Sequence, residues 1–171
     1  FIMLLKKERI SLELDIKKPK LIERTKRKAA VYTSFGEYSK QDYITCWEKL
    51  WNFIQKNKLF NMRMEFLGLY LDDPTITPSE QCRFDACITI NKPAEDTDEV
   101  KIKEIEGGKY LMFLYTGSYE NFGRVYDIIY NDYLEGKGYK YREAPWLEKY
   151  LNNPSKTEPK KLRTEIYIPI E

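Results

Sequence analysis

The feature that most constrains this chain is that it repeats itself. Residues 70 to 90, YLDDPTITPSEQCRFDACITI, align without a gap on residues 150 to 170, YLNNPSKTEPKKLRTEIYIPI, and seven of the 21 positions are identical. These are Tyr70/Tyr150, Leu71/Leu151, Pro74/Pro154, Thr77/Thr157, Arg83/Arg163, Ile88/Ile168 and Ile90/Ile170. Ordinary composition gives about one or two such matches by chance. Asp72/Asn152, Asp73/Asn153, Thr75/Ser155 and Asp85/Glu165 are conservative partners. Upstream, VYTSFGEY at 31 to 38 lies over MFLYTGSY at 112 to 119, so that Gly36 meets Gly117 and Tyr38 meets Tyr119. A helical apolar spacing follows each: Ile44, Trp47, Leu50, Trp51 and Ile54 in the first copy, Phe122, Val125, Ile128, Ile129 and Tyr133 in the second. The last pair drifts by one residue.

Each copy therefore predicts strand, helix, strand, turn, strand. MEFLGLYL and RFDACITI flank the DDP turn of the first copy, and APWLEKYL and RTEIYIPI flank the NNP turn of the second. Asp or Asn before Pro starts a turn by side-chain hydrogen bonding while Pro fixes its own φ. Two such units predict an α+β domain: a duplicated β-α-β-β arrangement with an antiparallel sheet, helices on one face, a pseudo-twofold axis and a central ligand cleft between the copies. The expected boundaries are a linker or remnant of a longer chain at 1–14 and one domain at 15–171, with copies at about 15–91 and 101–171. Phe1 in place of Met fits a chain that was processed or cut from something longer.

Composition removes several chemistries. There is no histidine, which excludes the usual general base and the Ser/His and Cys/His dyads. Cys46, Cys82 and Cys87 lack CxxC spacing, so neither a metal nor a disulfide framework is expected, and a reduced cytoplasmic setting is. No cofactor motif is present. No run reaches the ~20 apolar residues of a membrane span, and FIMLL is too short for a signal peptide. Lysine plus arginine number 29 against 27 aspartate plus glutamate, which gives no general case for a polyanionic partner. The basic stretch KKPKLIERTKRKAA at 17 to 30 is read as a charge-guarded edge strand rather than a nucleic-acid contact.

The segments GLYLDDPTITPSEQCRFDACITI, IEGGKYLMFLYTGSYENFGRVYDIIYNDYL and LEKYLNNPSKTEPKKLRTEIYIPI, in that order, resemble the GyrI-like small-molecule-binding domain over roughly residues 15 to 171. That family serves as the effector domain of AraC-type and MerR-type transcription regulators and as stand-alone proteins. The resemblance implies a lipophilic, often cationic or aromatic ligand in a central aromatic-lined cleft, met by a carboxylate that corresponds here to Glu165. It also implies two alternatives: a stand-alone hydrolase of cyclopropane-bearing or other electrophilic compounds, using Glu165 with Tyr167 and Trp146, or a DNA gyrase inhibitor. DNA is expected only through a separate segment not seen in this chain.

From the residues alone, Glu165 opens an otherwise apolar strand. Alternation puts it with Tyr167 on the face opposite Ile166, Ile168 and Ile170. The isoleucine face suits the helix-packed core, which leaves Glu165 and Tyr167 to the cleft or to solvent. A carboxylate enclosed by aromatics resists ionisation unless a cation completes the site. Asp85 is its equivalent in the first copy. Tyr32, Phe113, Tyr115, Trp146 and Tyr167 are the aromatic candidates; whether Phe113 and Tyr115 or Met112 and Leu114 face the helices is left open by alternation.

Overall fold

A computed structural model describes residues 14–171; apart from Leu14, the linker expected at 1 to 14 lies outside the described residues. The short strand β1 (Asp15–Ile16) and β2 (Lys20–Arg24) precede the first copy, which consists of β3 (Arg27–Phe35), helix α1 (Tyr43–Lys56), β4 (Phe66–Tyr70) and β5 (Arg83–Thr89). β6 (Val100–Ile105) leads into the second copy: β7 (Gly108–Thr116), helix α2 (Phe122–Ile128), β8 (Trp146–Tyr150) and β9 (Arg163–Pro169). The duplicated β-α-β-β expectation is the fold observed.

The repeated residues do matching work in both copies. Gly36 and Gly117 end equivalent strands at φ +132° and +154°, a region where side-chain-bearing residues are strained. In the turns, the Asp73 carboxylate accepts the Thr75 backbone N–H at 2.8 Å, and the Asn153 side-chain oxygen accepts that of Ser155 at 2.9 Å. Asp72 and Asn152 each accept the N–H of the arginine opening the next strand, Arg83 at 2.8 Å and Arg163 at 2.9 Å.

The helices differ in one respect. Asp42 caps α1 by accepting the Thr45 N–H at 3.1 Å, and the helix buries Cys46, Leu50, Phe53 and Ile54. Ile44, expected in that stripe, is 73% exposed, because the buried face begins two residues later at Cys46. Helix α2 buries Val125 and runs into a π-helical turn, Ile129–Leu134, which buries Ile129 and Leu134. The wider turn inserts one residue between consecutive buried positions. This accounts for the one-residue drift between the two apolar spacings, and it makes Leu134, not Tyr133, the counterpart of Ile54.

The strands form one antiparallel sheet ordered β1-β7-β9-β8-β4-β5-β3-β6, with β2 also on β7. Equivalent pairings recur, Ala30 opposite Ile88 and Leu111 opposite Ile168. The copies meet where β4 pairs with β8, Phe66 opposite Tyr150, Gly68 opposite Glu148 and Tyr70 opposite Trp146. Since Gly68 and Glu148 are also equivalent in the repeat, the pseudo-twofold axis passes through that pair.

The sheet cannot be flat. β6 and β7 are six strand spacings apart along it, about 29 Å if laid out evenly. Yet only Glu106 and Gly107 join them, a span of about 11 Å at most. Thr25 and Lys26 make a similar bridge from β2 to β3. The sheet therefore curls until its ends approach. Val31, Leu67, Cys87, Tyr110, Leu147 and Tyr167 cluster on the face that carries no helix. Both helices pack on the other face, α1 over Ala30, Phe84 and Ile88 and α2 over Phe113, Ile166 and Ile168.

The stripe makes a direct comparison available. Leu50→Ala removes a fully buried side chain and is expected to destabilise the fold by about 2–5 kcal/mol; Ile44→Ala, on the same helix, should shift it by no more than about 0.5 kcal/mol. Urea denaturation of both variants checks this.

Candidate functional site

Strand alternation on β8 sends Leu147 and Lys149 to the inner face of the curl and Trp146, Glu148 and Tyr150 to the helix face. Glu148 is therefore a carboxylate beneath the helices, at the seam of the two copies, and its side chain is wholly buried. Three tyrosine hydroxyls donate to it. Tyr126 of α2 reaches Oε1 at 2.5 Å, while Tyr150 and Tyr70 reach Oε2 at 2.7 and 3.4 Å. No cation pairs with it among the described residues.

Gly68 makes the arrangement fit. A methyl group there would collide with the Tyr150 hydroxyl and the Phe84 ring, so any larger residue drives Tyr150 off the carboxylate. The axis thus carries one carboxylate and one glycine, where a symmetric duplication would press two carboxylates together.

Aromatic side chains from both copies close over this point. Trp47 of α1 meets Tyr150 edge-on at 5.6 Å, Tyr119 approaches the same ring at 5.7 Å, and Trp146 lies 5.7 Å from Tyr126. Edge-on and tilted contacts of this kind are the arrangements that aromatic quadrupoles favour.

Burial dominates the electrostatics. Loss of water pushes the Glu148 carboxyl up to about 7, against the opposing pull of the hydrogen bonds from Tyr126, Tyr150 and Tyr70. Burial likewise raises the tyrosine hydroxyls well above their usual range, with the charge of Glu148 adding to the effect. They remain protonated donors at neutral pH. The site is therefore an enclosed, proton-holding carboxyl with fixed donors and aromatic walls, poised to ionise when a positive charge arrives.

The residues expected at the site from sequence are divided by the structure. Trp146 stands beside the carboxylate. Phe113 and Tyr115, candidates for the cleft, face the helices instead and are wholly buried in the α2 core, and the Tyr115 hydroxyl is spent on the Ser118 carbonyl at 2.8 Å. Tyr32 packs at the edge of the α1 cluster. Glu165, Tyr167 and Asp85 are on the inner face, away from the seam between the helices. Ile166, Ile168 and Ile170 face the helices, as alternation predicts, and Glu165 and Tyr167 lie on the opposite face from Glu148.

On the inner face the charges compensate one another. Glu165 accepts the Tyr167 hydroxyl at 2.5 Å and lies 3.6 Å from Lys149. Lys149 also pairs with Glu65 at 3.1 Å, alongside Arg24 at 3.0 Å and Arg27 at 2.9 Å. Arg24 stacks over the Tyr167 ring at 4.7 Å. Asp85 accepts from Thr33 at 2.5 Å and pairs with Lys103 at 3.4 Å. Glu65, just before β4, is thereby tied to β2, β3 and β8, Glu165 ties β9 to β8, and Asp85 ties β5 to β3 and β6, a structural use of charge. An open hollow of about 430 Å³ adjoins them, lined by residues that include Arg27, Arg63 and Glu65.

Glu148, Tyr70, Tyr126 and Tyr150 were missed. The signal was present. Extending the 70/150 alignment two residues back places Glu148 opposite Gly68, as a lone carboxylate alternating with Trp146 and Tyr150 in a strand bounded by apolar residues.

Known proteins resemble this chain to different extents. The probable transcriptional regulator YgiV of Escherichia coli K12 is 31% identical over 60% of this chain and 65% of its own length. In fold, the chain resembles the EcmrR subunit of an EcmrR–DNA complex, with TM-score 0.78 and 19% identity over 99% of this chain and 62% of that one. It also resembles SAV2435, solved bound to tetraphenylphosphonium, with TM-score 0.62 and 16% identity over 91% of this chain and 94% of that one. The chain thus spans less than two thirds of both YgiV and EcmrR. Among the described residues no helix is long and apolar enough to cross a membrane. The model of the GyrI-like small molecule binding domain matches residues 17–171, and the chain belongs to that family.

Proposed function

We propose that the chain is the effector-sensing unit of a transcription regulator and binds a lipophilic cation over Glu148, between the aromatic side chains of the two copies. The observation that carries this reading is a fully buried carboxylate with three hydroxyl donors and no cationic partner among the described residues. A buried charge of this kind is costly unless paired, and a ligand cation that sheds its water against tyrosine and tryptophan faces supplies the missing partner. A neutral isostere leaves the carboxyl protonated and gains only the stacking. The tetraphenylphosphonium complex of the fold neighbour SAV2435 supports the same ligand class. Binding would bias an attached DNA-reading segment by its preference for one arrangement of the copies.

A second reading, hydrolysis of an electrophilic compound with Glu148 as general acid or base, is favoured by its carboxyl lying at about 7. It replaces Glu165, expected in that role, because Glu165 is on the other face. Turnover of a strained electrophile that Glu148→Gln abolishes would select this reading over simple binding.

The direction of the pH dependence follows from the raised carboxyl. Below about 7 an arriving cation must displace a proton. Affinity is therefore expected to climb by up to about tenfold per pH unit up to neutrality and level off above it. Calorimetry in two buffers of different ionisation enthalpy should show about one proton released at pH 5.5. Glu148→Gln should bind the cation at least about 30-fold more weakly and lose this pH dependence. Equal affinity of parent and variant for tetraphenylphosphonium would refute the charge-selector role.

Without ligand the same shift acts on stability. A folded-state carboxyl at about 7, against an ordinary 4.5, favours the protonated form. Its contribution is complete below about pH 4.5 and lost as pH rises through 7. Relative to Glu148→Gln, which carries no charge at any pH, the parent should lose up to about 3 kcal/mol between pH 4.5 and 8. Urea titrations of both proteins at the two pH values measure the difference.

A further inference from the structure

The duplication supplies an internal control for one side chain. Tyr38 and Tyr119 occupy equivalent positions, each two residues beyond the glycine that ends its strand. Their rings play similar parts: Tyr38 meets Tyr70 edge-on at 4.9 Å, and Tyr119 lies against Tyr150 at 5.7 Å. Their hydroxyls do not. The Tyr38 hydroxyl shares its proton between the backbone carbonyls of Asp72 and Arg83 at 3.0 and 2.9 Å and accepts the Asp72 N–H at 3.2 Å, pinning the DDP turn to the segment that leads into α1. The corresponding acceptors in the second copy are the carbonyls of Asn152 and Arg163, and Tyr119 bonds to neither.

Instead the Tyr119 ring stacks on Phe122 at 5.2 Å. Its hydroxyl is buried with no hydrogen-bond partner among the described residues. A buried hydroxyl left unsatisfied is unfavourable, and Phe would fill the same space without that cost. Tyr119 also lies against the ring of Tyr150, one of the three donors to Glu148. The orphaned group thus stands one side chain away from the carboxylate.

We infer that Tyr119 is a specificity-determining residue whose hydroxyl donates to a hydrogen-bond acceptor on the ligand, so that the preferred ligand is a cation carrying a carbonyl or ether oxygen beside its charged ring. This rests on the proposed cation site at Glu148 and names the second group that the ligand must present. In the first copy the same hydroxyl is spent on the fold, and in the second the duplication has released it. A ligand acceptor would satisfy a donor that no protein group reaches, and it would distinguish molecules of equal charge and size.

Two measurements test it. Thermal melting of the ligand-free protein compares Tyr119→Phe with Tyr38→Phe. The former should melt at or above the parent temperature, and the latter about 2–6 °C below it, because only Tyr38 loses made hydrogen bonds. Tryptophan-fluorescence titrations then compare N-methyl-4-benzoylpyridinium with N-methyl-4-benzylpyridinium, cations that differ by a carbonyl in place of a methylene, together with their 3-substituted isomers. The parent should prefer a benzoyl compound over its benzyl partner by about tenfold, and in Tyr119→Phe that ratio should fall to about one. A melting loss in Tyr119→Phe equal to that in Tyr38→Phe, a carbonyl preference that survives the substitution, or benzyl binding without any carbonyl preference would overturn the role of Tyr119 while leaving the cation site standing. Failure of all four cations to bind the parent would sink the cation site, and the inference with it.

Discussion

The pairing of β4 with β8 is the junction on which this molecule depends. It is where the two copies become one sheet, and its register, Gly68 opposite Glu148, places the pseudo-twofold axis on the residue pair that matters most chemically. Every strand to either side inherits its position from this ladder. A slip of one residue would turn Glu148 to the inner face and Lys149 toward the helices, leaving the three tyrosines with nothing to hold. The fit of Tyr150 into the space that Gly68 leaves open makes such a slip costly.

Duplication brings symmetry, and the site exploits its breaking. Two equivalent carboxylates on the axis would repel, and two glycines would offer no charge. One of each gives a single buried carboxyl served by hydroxyls from both copies, Tyr70 from the first and Tyr126 and Tyr150 from the second. The same asymmetry separates Tyr38, committed to a turn, from Tyr119, and the straight α1 from the π-widened α2.

The two faces of the sheet manage charge in opposite ways. On the inner face Glu65 is ringed by Arg24, Arg27 and Lys149. Burial works against its charge, but Arg24 and Lys149 outweigh it and hold the carboxyl below the ordinary range. Glu165 and Asp85 are similarly provided with lysines. Glu148, on the helix face, has hydroxyls only. A carboxylate compensated by lysine and arginine already has its charge matched, whereas one compensated by hydroxyls alone does not, and the role proposed for Glu148 rests on that difference.

Much of the architecture was legible in one dimension. The duplicated α+β unit, the Asx-Pro turns, the paired glycines and the apolar helical faces are local or periodic properties, and the repeat reports them twice. Even the π turn left a trace in the one-residue drift between the stripes. The direction of Ile166 and Ile168 followed from alternation, and so did the pairing of Glu165 with Tyr167. Which face holds a buried carboxylate without a cationic partner among the described residues did not, because alternation distinguishes two faces without naming them. Ile44 was misplaced for a related reason: its spacing fits the stripe, but only packing against β3 and β5 decides where the buried face begins. The sequence by itself determined the unit, its turns and the residues that share a face. Only the tertiary structure decided that β4 lies beside β8 in the register that sets Glu148 on the axis, because strand partners and register depend on residues some 80 positions apart, and an unpaired buried carboxylate exists only once the sheet has curled and the helices have closed over it.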